Sequence, residues 1–179
     1  VVFDRLLANE ADPTARLGLL AGKIEDAFAT VFRQNVLTRF EQSAFAARAE
    51  GRLTAERLGD LWTGANGAYY GDSVRMTDGY RWGWSYIPHF IHTPFYCYAY
   101  VFGQLLVLAL YRMYKEQGAP FVPKFASLLA AGGSGAPDDL LRPLGVDIAD
   151  PGFWAKGMAE LEALVLEATA IAETIPRER

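Results

Sequence analysis

The sequence is poor in the residues that build small secreted or metal-stapled folds. Its 179 residues include one cysteine and two histidines. One cysteine cannot close an internal disulfide, and no Cys/His array has zinc-finger spacing. There is no excess of positive charge either. Lys and Arg number 17 against 21 Asp and Glu, a net charge of −4, which leaves no electrostatic footprint for DNA or RNA. No stretch alternates long enough with a period of two to make a strand, and no repeat or low-complexity tract occurs. The first residues, Val1-Val2-Phe3-Asp4-Arg5-Leu6-Leu7, lack an initiator Met and a charged segment ahead of an apolar block. No secretory signal is expected there, and a cytoplasmic location follows as the expectation. What is present is ordinary for a packed core, with 51% hydrophobic and 21% charged residues. Residues 1–179 read as a single helical domain.

Charge is also missing locally. The first sixty residues carry 17 charged side chains and the last sixty-five carry 16, while the 54 between carry five. All nine tyrosines, both histidines and the cysteine lie in that uncharged centre, between Tyr69 and Tyr114. Any chemistry is therefore sought there.

Helix signals fill the flanks. Asp12-Pro13 provides an N-cap and an N1 proline. Leu17, Leu20, Ile24, Phe28, Phe32, Val36 and Phe40 then recur at three- or four-residue steps up to a stop at Gly51. This is a helix of about 37 residues, about 55 Å long. Thr54 caps a second helix that fades near Tyr69-Tyr70-Gly71, and residues 72–92 read as loop. Thr93-Pro94 repeats the cap-plus-proline pattern and predicts a helix to about Gln117. A shorter helix fits 122–131, Gly132 to Gly135 is a turn, and Pro137 to Leu141 suits a turn or two of helix. Asp150-Pro151 opens the last long helix, with a stripe of Trp154, Met158, Leu161, Val165, Ala168, Ala172 and Ile175. The fold class is all-α.

Between Trp82 and Tyr111 there is no Asp, Glu, Lys or Arg. As a helix, Thr93–Tyr111 would extend about 28 Å, close to a bilayer core. Gln104 in mid-run, two histidines and Pro94 at its mouth, and weakly basic flanks oppose a membrane span. A helix buried on all sides of a larger protein is the expectation instead.

The segment Tyr86-Ile87-Pro88-His89-Phe90-Ile91-His92-Thr93-Pro94-Phe95-Tyr96-Cys97-Tyr98-Ala99-Tyr100 concentrates the candidates. Each His and Tyr can donate a hydrogen bond from an apolar surround, where a donor stabilises a developing oxyanion far better than in water. Core aromatics whose hydroxyls simply find partners give the same pattern. On the predicted helix, Tyr96 and Tyr100 share a face and Tyr98 points away. A zinc site within this chain is not expected, because neither His is followed by Glu and no carboxylate lies between Asp78 and Glu116. Cys97 has no flanking cation and reads as inert core.

These residues resemble a known family. Ile87-Pro88-His89-Phe90 with Thr93-Pro94-Phe95-Tyr96-x-Tyr98-x-Tyr100 is similar to the C-terminal part of oligoendopeptidase F, a zinc metallopeptidase related to thimet oligopeptidase. Val31-Phe32-Arg33-Gln34, Phe40-Glu41, Leu53-Thr54-Ala55-Glu56, Tyr69-Tyr70-Gly71, Gly132-Gly133-Ser134, Leu140-Leu141 and Gly145-Val146-Asp147 agree in order. The resemblance implies the C-terminal lobe of a larger, almost wholly helical enzyme that hydrolyses peptide bonds in oligopeptides. Its zinc would be held by a His-Glu-x-x-His helix and a following Glu, which this sequence lacks. It implies that His89 and Tyr96 stabilise the tetrahedral intermediate, with Tyr98 competing for the tyrosine's role. Tyr86, His92, Tyr98 and Tyr100 become candidates to contact substrate, although His92 stands where many relatives have Tyr-Tyr. The partners implied are an oligopeptide and the missing N-terminal part of the same enzyme, without which the chain would be inactive and would self-associate. A stand-alone helical peptide-binding or regulatory module is the alternative.

Overall fold

A computed structural model describes residues 2–176. The architecture is all-α, with no strand among the described residues. In chain order the helices are α1 (Val2–Asn9), α2 (Pro13–Phe28), α3 (Gln34–Glu50), α4 (Ala55–Tyr70), α5 (His89–His92), α6 (Tyr98–Gln117), α7 (Val122–Ala131), α8 (Pro137–Leu141) and α9 (Pro151–Thr174). The chain divides into two compact units, one from Val1–Ala27 with Gln104–Arg179 and the other from Phe28–Gly103.

Local chemistry places most helix ends where the sequence puts them. Asp12 accepts from the Thr14 and Ala15 N–H groups, Thr54 from Arg57, and Asp150 from Gly152, each satisfying a donor that has no partner inside its helix. At the other end of α7, Gly132 has φ 52°, a left-handed turn that a side chain would resist.

In the Phe28–Gly103 unit, α3, α4 and the tightly wound segment Asp78–Tyr86 pack together. Leu37, Phe40, Trp62, Ile87 and Cys97 form the buried core, with Tyr80, Trp84 and Phe90 against it. Trp62 anchors it. The Phe40 ring meets the indole edge-on at 5.4 Å between centroids. The indole Nε1 donates to the Tyr80 carbonyl (2.9 Å), Asn66 donates to the Trp62 carbonyl (2.8 Å), and the Tyr80 hydroxyl donates to Asn66 Oδ1 (2.9 Å). This closed set pairs the Trp62 indole, the Asn66 amide and the Tyr80 hydroxyl within the aromatic core, while the buried Trp84 indole N–H beside them has no hydrogen-bond partner among the described residues.

In the other unit the core comprises Ala109, Leu110, Met113, Phe121, Leu141, Leu144, Val146 and Phe153. Here α9 approaches α6 so closely that a Cβ on Gly157 would lie 2.7 Å from the Leu105 carbonyl oxygen.

Four expectations are corrected. The predicted 13–50 helix is continuous in helical backbone, but Ala29–Arg33 winds as a π turn. The extra residue slips the apolar stripe, so Phe28 is 39% exposed while Val31 is buried. Residues 72–92 are largely wound, as 3₁₀ turns and α5, rather than open loop. Thr93-Pro94 does not start a helix; α6 begins at Tyr98, after a turn in which Phe95 has φ 60°. In this chain Val107 on α6 is 62% exposed, which leaves the expected burial within a larger protein untested. On α9 the buried face is Phe153, Gly157, Glu160 and Leu161, and Met158 of the expected stripe is exposed. Helix α1 was not anticipated. No helix among the described residues is long and apolar enough to cross a membrane.

The Gly157 contact generates a test with an internal control. Gly157→Ala should destabilise by about 1–3 kcal/mol, because the obstructing atom is backbone. Gly22→Ala, in α2 with nothing within 4 Å of its Cβ position, should stabilise by about 0.4–1 kcal/mol. Urea unfolding of the two variants checks the opposite signs.

Candidate functional site

The candidate site lies in the Phe28–Gly103 unit, and its position begins with a buried carboxylate. Glu41 on α3 is 2% exposed, and its Oε1 accepts the Phe95 backbone N–H at 2.6 Å. A non-glycine residue at φ 60° is strained. The Glu41 bond and the Phe95 ring, packed on Phe45 with centroids 4.5 Å apart, hold it there. Cys97, two residues on, is fully buried. Burial, followed by the nearby Glu41 charge, pushes its thiol pKa up, which leaves it a core residue and not a nucleophile.

This anchored turn delivers tyrosines beside α5. On the other side of α5, Ile87 is buried and Phe90 packs on Phe40 and Trp62, which leaves His89 half-buried at the edge of the core. The Tyr96 ring lies nearly parallel to the His89 imidazole, with centroids 5.8 Å apart and planes 8° apart. Tyr100 meets both rings edge-on, at 5.8 Å from His89 and 5.3 Å from Tyr96. Its hydroxyl is 3.2 Å from His89 Nε2. Three rings carrying polar hydrogens are thus gathered over an apolar base, an arrangement able to hold a carbonyl oxygen as it gains charge.

His89, Tyr96 and Tyr100 come together; Tyr86, His92 and Tyr98 make none of these ring contacts. Tyr86 is 63% exposed and Tyr98 57%, and His92 is also exposed. Tyr96 precedes α6, so its contact with Tyr100 comes from the turn and not from a shared helix face. Glu41 was missed as a site residue. In the sequence it figured only in the Phe40-Glu41 pair that the resemblance includes, and its partner lies 54 positions away.

The zinc that the family resemblance implies does not fit the described residues. No group of three or more His, Cys, Asp or Glu side chains among them is placed to hold a metal ion. His89 directs Nε2 at a tyrosine, and His92 stands apart.

A separate cavity of about 550 Å³ lies in the other unit, among residues such as Val107, Leu108, Tyr111, Phe121, Phe125 and Leu164. None of the six candidate residues lines it. On its wall the Tyr111 hydroxyl donates to Asp4, with Lys115 5.0 Å from the Tyr111 ring centroid.

Peptidase family M3 matches residues 2–160, and the chain belongs to that family. It is similar to Oligopeptidase PepF of Bacillus subtilis, at 35% identity over 82% of this chain and 22% of the relative. It is likewise similar to an oligoendopeptidase F homolog of Borreliella burgdorferi, at 30% identity over 83% of this chain and 25% of the relative. The crystal structure of oligoendopeptidase-F from Enterococcus faecium superimposes with a TM-score of 0.88 and 27% identity. That match covers 97% of this chain and 33% of the crystallised one. The chain thus spans less than a third of the length of these curated relatives.

Two measurements probe this local chemistry. Glu41→Ala removes the acceptor and leaves the Phe95 N–H without its partner. It should cost about 1–3 kcal/mol and speed amide exchange at Phe95, while Glu41→Gln keeps an acceptor oxygen and should recover most of the loss. The second concerns Tyr111, whose pKa is raised to about 12, first by its hydrogen bond to Asp4 and then by burial. A raised folded-state pKa contributes stability below the ordinary value near 10, lost as pH climbs through about 12. Phenolate absorbance should show one tyrosine titrating near 12, and Asp4→Asn should bring it back toward the ordinary value.

Proposed function

We propose that the chain is the C-terminal portion of the catalytic domain of an oligoendopeptidase F-type zinc metalloendopeptidase, without its zinc-binding motif, and forms one wall of the peptide-hydrolysing site. The observation that carries the reading is the meeting of His89, Tyr96 and Tyr100, within a chain whose family is that of the oligoendopeptidases it is similar to.

In this reading His89 and Tyr96 act on the scissile carbonyl. When a nucleophile adds to that carbon, the oxygen takes up negative charge. An imidazole N–H and a phenol O–H held in place stabilise that charge without having to reorganise. Tyr98, exposed in the first turn of α6, is the second candidate for the tyrosine's task. Tyr86 and His92 line the path of the peptide, where their exposure suits contact with a substrate. Zinc is the cofactor of the intact enzyme and would be held outside the residues described here. The chain alone, without a ligand set to activate water, does not cleave peptides. Its partners are an oligopeptide and the remainder of the same enzyme, and the exposed faces of α6 suit burial against that remainder.

The test uses a longer peptidase that contains these 179 residues. His89→Gln and Tyr96→Phe should each lower kcat about 10²- to 10³-fold, the usual cost of losing one oxyanion donor, with little change in KM. If Tyr96→Phe leaves kcat intact while Tyr98→Phe lowers it, the tyrosine's role passes to Tyr98. Full activity in His89→Gln overturns the reading.

A further inference from the structure

We infer that Tyr100 is a positioning residue: its hydroxyl donates to His89 Nε2, fixes the imidazole proton on Nδ1, and so makes Nδ1–H the donor that His89 presents. The inference rests on the role proposed for His89 above and replaces the expectation that Tyr100 contacts substrate.

A neutral imidazole has one N–H and one lone-pair nitrogen, and the hydrogen bond made by one nitrogen decides which tautomer prevails. Tyr100 Oη stands 3.2 Å from Nε2. Among the described residues neither Tyr100 Oη nor His89 Nδ1 has any other hydrogen-bond partner. Were Nε2–H the donor, the Tyr100 hydroxyl proton would be left with no acceptor from the protein on a half-buried side chain. With Tyr100 donating, both groups are satisfied and Nδ1–H stays available. Oxyanion stabilisation requires an N–H aimed at the substrate oxygen, not a lone pair, so the tautomer decides whether His89 can serve at all.

The packing fixes the ring as well as the proton. Tyr96 lies flat beside the imidazole, 8° from parallel, and Tyr100 stands edge-on to both rings, at 79° and 88°. A partial rotation of the imidazole about its Cβ–Cγ bond would lose the parallel arrangement with Tyr96, and a full flip, which keeps the ring plane, would carry Nε2 away from the Tyr100 hydroxyl. Tyr100 is itself held in the first turn of α6, next to buried Cys97 in the turn that Glu41 anchors.

Nitrogen NMR of the histidine rings tests this directly, since the chain has only two histidines and His92→Gln assigns the second. In the wild-type chain His89 should show a protonated Nδ1 and a hydrogen-bonded, unprotonated Nε2. Tyr100→Phe keeps the ring and removes the hydroxyl; it should shift the Nε2 resonance and end the preference for one tautomer. Tyr96→Phe, which leaves the Nε2 bond alone, should leave the spectrum of His89 unchanged. A proton on Nε2 in the wild type, or a Tyr100→Phe spectrum identical to wild type, overturns the inference. The readout is independent of activity, so a failure of the proposed peptidase role would appear in the His89→Gln kinetics and not in these spectra.

Discussion

One hydrogen bond between distant parts of the sequence sets the geometry of the candidate site. The Glu41 carboxylate, buried on α3, accepts the N–H of Phe95 in a backbone conformation that a phenylalanine does not choose for itself. Burying a carboxylate is costly unless its oxygens are used. The contact answers two demands together, giving the acid a partner and holding the strained turn. Because the turn is held, α6 starts at Tyr98 and not at Pro94. Tyr96, Tyr98 and Tyr100 consequently leave the turn in three different settings: one stacked on His89, one open to solvent, one bonded to the imidazole.

Rigidity underneath makes that distribution meaningful. The Trp62 core, with its closed ring of hydrogen bonds through Tyr80 and Asn66, supports Phe90 and Ile87 and hence the short helix that carries His89. Four residues of helix have little stability of their own. His89 keeps its orientation because its neighbours are embedded in an aromatic core. In the proposed role, donors to a developing charge must be in place before the charge appears, and a packed base of this kind supplies that.

The chain belongs to peptidase family M3 and matches only part of the length of its relatives. Large apolar side chains such as Val107, Leu129 and Leu166 stay exposed in this chain, while relatives run to more than three times its matched length. In the proposed reading, the cluster of His89, Tyr96 and Tyr100, with no metal-ligand set among the described residues, is one part of a catalytic apparatus.

The sequence by itself determined most of the long helices and several of their ends, because capping and periodicity act within a few residues of one another. Asp12, Thr54, Asp150 and Gly132 each do locally what their side chains or backbone favour. It also singled out the 86–100 segment as the place to look for chemistry, since composition there is unlike that of the flanks, and the resemblance read largely from that segment pointed to the family. Only the tertiary structure decided what lies beyond local reach. The π turn at Ala29–Arg33 shifts a face that regular periodicity extends without a break. Thr93-Pro94 has every local mark of a helix start, and is overruled by an acid more than fifty residues away. Which tyrosine touches which nitrogen of His89 depends on that turn, and so on a contact between α3 and the residues ahead of α6 that no spacing within either segment encodes.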